Sequence, residues 1–154
     1  MKPSWDAVGR EILTAARNEL YLNLPFLDAA LCVLPFETGY DTPTLATDAK
    51  VLYYNGGWLA SRYERGRSLV CRALLHVVLH CMLRHPAKRK GRDGELWDLC
   101  CDIAVESILD ELEYRCLQLE TPHVRRTHLY RQLRTHMPVL TAEAIYRQFR
   151  REPL

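Results

Sequence analysis

The sequence predicts a helix-rich α+β domain with a small sheet or hairpin, and three observations lead there. Three long stretches, about residues 4–20, 69–85 and 95–115, carry apolar residues at helical spacing. One stretch, TDAKVLYYN from Thr47 to Asn55, gathers β-branched and aromatic residues and ends at Asn-Gly-Gly, the text of a strand and turn. With 154 residues and 48% hydrophobic content, the chain can build one substantial core.

Taken in order, Ser4 is a plausible N-cap for the first helix, with Trp5, Val8, Ile12, Leu13 and Ala16 on its apolar side. Pro25 can open a second short helix and Pro35 can end it. Gly39 to Thr44 reads as a loop, and the strand text after it is expected to pair with Cys32 to Glu37. A short helix follows Gly57, broken at Gly66, and Ser68 is expected to cap the central helix, which runs to about His85 before Pro86. KRKGRDG, from Lys88 to Gly94, is a charged loop expected to be solvated. The helix after it has Trp97, Cys101, Ala104, Val105, Ile108, Leu109 and Leu112 on one side. Its other side holds Asp98, Asp102, Glu106, Asp110 and Glu113, which on their own read as a solvated face. Pro122 opens a polar stretch with short helices expected at Thr127 to His136 and Thr141 to Arg151.

Charge divides the chain. Residues 1–120 carry 14 Lys/Arg against 17 Asp/Glu, while residues 121–154 carry seven Arg against Glu143 and Glu152. A basic tail can meet nucleic acid through Arg125, Arg126, Arg131 and Arg134, although solvated helix faces are the simpler expectation. The longest apolar run falls short of the roughly 20 residues a membrane span needs, and no apolar leader follows the first lysine. Six cysteines without a CxxC pair read as reduced thiols of a cytoplasmic protein.

The residues with chemistry to offer lie in the central helix, LVCRALLHVVLHCMLRH. His76 and His80 are four apart, so both imidazoles leave the same helix face and can converge on a metal ion. The pattern linking that spacing to zinc hydrolysis is His-Glu-x-x-His, and here its glutamate position is Val77. The third ligand is expected to be Asp102, because the basic loop lets its helix return antiparallel to the histidine helix. His85 is the rival, able to join only where the helix ends or bends before Pro86. Glu106, one turn beyond Asp102, is placed to hydrogen-bond a ligating histidine, or to serve as a substitute base. A cysteine ligand, Cys81 or Cys101, is a further alternative to their role as core thiols.

TDAKVLYYN, then LLHVVLHCMLRH, then WDLCCDIAVESIL resembles, over about Thr47 to Leu112, the metallopeptidase-like domain that precedes a VWA-like domain in bacterial proteins. The resemblance implies a zincin-like fold and, position by position, implicates His76, His80, His85, Trp97, Asp102 and Glu106. It departs from the family text at Val77 and at Glu106, where the family has asparagine. It divides the chain into a metallopeptidase-like domain, 1–120, and a basic helical extension, 121–154, packed on it or leading to a VWA-like part. It implies zinc as cofactor, and a VWA-domain protein or MoxR-type AAA+ ATPase as partner. Because a positioned general base contributes roughly 10²- to 10⁴-fold, Val77 makes the expected function a metal-binding or protein-interaction module. The rivals are an active metallohydrolase with another base and an arginine-tail nucleic-acid binder, the latter not favoured.

Overall fold

Ser4, whose hydroxyl accepts from the Ala7 N–H, starts helix α1, Trp5–Asn23, in a computed structural model that describes residues 4–39, 41–121 and 123–152. Pro122 and the first three residues, which figured in the sequence reading, lie outside the described residues. The helix buries Gly9, Leu13, Ala16 and Leu20, a stripe at three- and four-residue spacing. A 3₁₀ turn at Pro25–Leu27 leads into α2, Asp28–Cys32.

Three short strands follow: β1, Phe36–Thr38, β2, Leu45–Thr47, and β3, Leu52–Tyr54. The expected single strand from Thr47 to Asn55 is in fact the turn and second half of a hairpin. Asp48 accepts the Lys50 and Val51 N–H groups at 2.8 Å each, and Ala49 takes φ 69°, so the chain reverses at a site without glycine or proline. The sheet order is β1-β3-β2, β1 parallel and β2 antiparallel to β3, which leaves β2 as one edge.

Asn55 does not close a turn; its side chain caps α3, Gly56–Arg65, by accepting from Trp58 N–H at 3.0 Å. A Cβ on Gly56 would lie 2.0 Å from the Trp5 carbonyl, and one on Gly9 would lie 2.8 Å from Gly56 Cα. The two glycines are what let α1 and α3 cross. The central helix α4, Arg67–Met82, is preceded by Gly66, so Ser68 lies within its first turn instead of capping it. Helix α5, Gly94–Glu111, is capped by Asp93 and ends earlier than expected. Two further helices, α6, Val124–Arg134, and α7, Ala142–Arg151, complete the described chain.

Burial falls into two clusters that share α5. One joins Leu13, Leu20, Leu52, Leu59, Leu74, Leu75 and Val78 to Val105 and Leu109. The other packs Trp97, Cys100 and Ala104 against Tyr130, Leu133, Ile145 and Phe149. Apolar spacing hidden among arginines in α6 and α7 therefore forms a core of its own. The basic loop is pinned as well as solvated. Lys88 pairs with Glu143 at 2.6 Å, Arg89 with Asp98 at 3.1 Å, and the Arg92 guanidinium stacks 4.4 Å from the Trp97 ring centre. No helix among the described residues is long and apolar enough to cross a membrane.

Candidate metal centre

The polar face of α5 turns toward α4, with rungs of partners running in opposite directions on the two helices. His80 and His76 meet Asp102, His76 also meets Glu106, and Arg72 meets Glu106 and Asp110. This is the antiparallel pairing that the loop between the helices permits, and it gives Asp102, Glu106 and Asp110 of the acidic stripe partners on α4 while Asp98, Asp102 and Asp110 stay exposed to solvent.

His76 Nε2, His80 Nε2 and Asp102 Oδ1 form a triangle with sides of 2.9, 3.4 and 3.2 Å. Two nitrogens and an oxygen, each about 2.0–2.1 Å from a tetrahedral metal, stand about 3.3 Å apart, so the donor set has the right size and type. Their hydrogen bonding also fits. An ionised Glu106 Oε1 can only accept, so at 2.8 Å it accepts a hydrogen bond from His76 Nδ1–H and leaves the Nε2 lone pair facing the triangle. His80 Nδ1 stands 3.0 Å from His85 Nδ1, and donation from His80 leaves its Nε2 lone pair facing inward too. Two lone pairs and a carboxylate oxygen in mutual contact call for a cation or a proton between them.

In the metal-free protein a proton takes that place. Burial alone would lower the His76 pKa, but hydrogen bonds and charge from Asp102 and Glu106 raise it to about 9. Burial would raise Asp102, yet the two imidazoles hold it well below the usual carboxylate range. Glu106 is opposed by burial in the same way and held down to about 2 by His76 and Arg72.

His85 does not join the triangle. Helix α4 stops at Met82, and Arg84 adopts φ 57°, so that the Arg84 N–H bonds to Cys81 O and the His85 N–H to His80 O. This left-handed closure swings His85 behind His80. There it is buried beside Trp97, whose indole N–H donates to the His85 carbonyl at 3.0 Å, and burial lowers its pKa to about 4, the His80 charge adding to the effect. The site's rival third ligand thus contacts His80 from the side away from the donors. Cys81 and Cys101 also lie outside the converged donors, and burial pushes Cys101 up to about 12.

Glu106 is not at liberty to act as a base. Its Oε2 is held by Arg72 at 2.8 Å and Arg126 at 3.2 Å while Oε1 serves His76. Arg72 is 7% exposed and also donates to Leu117 O and Asp110. Sequence reasoning passed over Arg72, although its place one turn before His76, charged within an apolar run, was the available signal. Of the four tail arginines set aside for nucleic acid, Arg126 pairs with Glu106 and Asp110, and Arg134 pairs with Glu111.

A cleft of about 330 Å³ opens on the triangle, bounded by Val77 and Pro86 and by β2 through Leu45, Ala46 and Thr47. A second groove of about 450 Å³ shares Leu45, His76 and Val77 with it and continues past Trp58. Thr44 O accepts from Asn55 N–H and Ala46 pairs with Tyr53, so in the antiparallel alternation Leu45 and Thr47 turn their N–H and C=O away from β3. Edge groups able to pair with another strand therefore border the cleft.

No curated protein and no solved structure matches the chain. One family model, described as "putative metallopeptidase domain", matches residues 10–152. With nearly the whole chain so matched, and with two histidines and a carboxylate drawn together beside a cleft, the protein belongs to this metallopeptidase-domain family.

Proposed function

We propose that this domain binds a divalent metal, zinc by preference, through His76, His80 and Asp102, and uses the adjoining cleft to hold an extended peptide without efficient hydrolysis. The observation that carries this reading is the pairing of an intact donor triangle with Val77 at the cleft wall. A divalent ion held there would supply Lewis acidity, able to polarise a carbonyl oxygen and make water a better nucleophile. The chain's own residues do the rest. Glu106 and His85 orient the two imidazoles. The free edge of β2 offers main-chain groups to a peptide, as sheet edges do in strand addition. What the cleft lacks, among the described residues, is an unheld carboxylate to move the proton. Val77 has none to offer, Glu106 is clamped on the other side, and Asp98 is held by Arg89.

The test is zinc content by mass spectrometry on untagged protein, with hydrolysis of a peptide library by wild type and Val77→Glu. Near-stoichiometric zinc, lost in His80→Ala, is expected, with hydrolysis rising in Val77→Glu by roughly 10²-fold or more. Hydrolysis by wild type equal to that of Val77→Glu, or absence of zinc, refutes the reading.

A further inference from the structure

The groove beyond His76 has a charge pattern that the metal centre does not use. Its walls carry Arg62, Arg72, Arg126 and His123 against one carboxylate, Glu106. Glu106 is taken by His76, Arg72 and Arg126, and Asp110 beneath it shares the same two arginines. Arg62 is left over. It has no carboxylate partner among the described residues, and its guanidinium lies 4.9 Å from the centre of the Trp58 ring. Stacking holds a guanidinium in place while leaving its N–H edge available, the arrangement in which arginine grips carboxylates with two hydrogen bonds. His123, exposed on the same wall, adds a second donor.

Resting on the peptide-binding reading, we propose that this groove is a subsite for an acidic group of the bound peptide, with Arg62 as its specificity residue. A strand laid along β2 passes Leu45, which lines both cavities, and so runs from the cleft into the groove. A glutamate or aspartate side chain, or a terminal carboxylate, meets Arg62 and His123 there. A basic side chain meets uncompensated positive charge and is rejected.

Capped octapeptides with one glutamate walked along a neutral scaffold, and glutamine and lysine counterparts, test this by fluorescence anisotropy in dilute buffer. At one position glutamate should bind roughly tenfold more tightly than glutamine, a charge-assisted pair discounted for partial exposure. The preference should vanish in Arg62→Gln, invert toward lysine in Arg62→Glu, and persist in Arg150→Gln, the same charge change at an exposed site on α7. Equal binding of glutamate and glutamine peptides at every position overturns the acidic subsite and leaves peptide binding standing. A preference undiminished in Arg62→Gln overturns it too. If no octapeptide binds, the peptide reading fails, and the subsite is read directly by titrating N-acetylglutamate against N-acetylglutamine while following the Trp58 indole N–H by NMR. Saturable shifts with the acid alone, absent in Arg62→Gln, uphold the subsite, and no shift overturns it.

Discussion

A metal ion entering the triangle must displace the proton that His76 holds, and this sets how binding depends on pH. Asp102 and Glu106 together raise the His76 pKa to about 9, so at pH 7 the ring is almost wholly protonated in the metal-free state. Two pH units below that pKa, proton competition weakens apparent affinity by about 100-fold. Apparent zinc affinity should therefore climb about tenfold per unit from pH 7 toward pH 9 and flatten above it. At pH 7 about one proton should leave His76 for each ion bound. Isothermal calorimetry in buffers of different ionisation enthalpy reads that release directly, and chelator competition reads the affinity slope. In Glu106→Gln, where the partner still accepts from Nδ1 but carries no charge, the flattening should move to lower pH. The loss of a positioned carboxylate should also weaken limiting affinity by roughly 10- to 100-fold. Affinity flat from pH 7 to 9, or no proton released at pH 7, would refute this account of the centre.

Four other outcomes follow from the same structure. Because the folded-state pKa of His76 is raised, its contribution to metal-free stability is full below about 6.5 and lost as pH rises through about 9, so urea midpoints should fall between pH 7 and 10. Glu106, with its pKa lowered to about 2, contributes above about 4.5 and loses that contribution as pH falls toward 2, giving a second decline in acid. Arg84→Gly should raise stability by about 0.5–1 kcal/mol in denaturant titrations, since glycine accepts φ 57° without the clash an L side chain meets. Gly56→Ala should destabilise by about 1–3 kcal/mol, because its new methyl meets the Trp5 carbonyl and α1 must move away from α3.

How legible the protein was depended on how local each signal is. His76, His80 and Asp102 could be named from sequence because helical spacing fixes the first two, and a loop joining antiparallel helices brings the third opposite them. His85 could not be placed, since its position depends on a left-handed residue that would ordinarily be glycine and here is Arg84. The hairpin was misread for a similar reason: Asp48 makes the turn with its side chain, in text whose composition otherwise suits a strand. The second core was obscured by composition. Tyr130 and Leu133, like Ile145 and Phe149, stand at helical spacing, but the arginines around them give both segments a polar composition, and the buried face shows only when α5 supplies its other half.

Helix α5 serves three neighbours at once, and that limits how far its sequence can drift. Trp97, Cys100 and Ala104 are committed to one core, Val105 and Leu109 to the other. Among its exposed positions, Asp98, Asp102, Asp110 and Glu111 are committed to Arg89, the two histidines, the Arg72–Arg126 pair and Arg134. Glu95 and Leu99 are the exposed positions left without an assigned partner among the described residues. A saturation library over this helix should thus tolerate change at those two sites, cost little at Asp98 and Glu111, whose ion pairs are largely exposed, and tolerate little at the buried positions, whereas α6 and α7, with one buried stripe each, have room to vary around it.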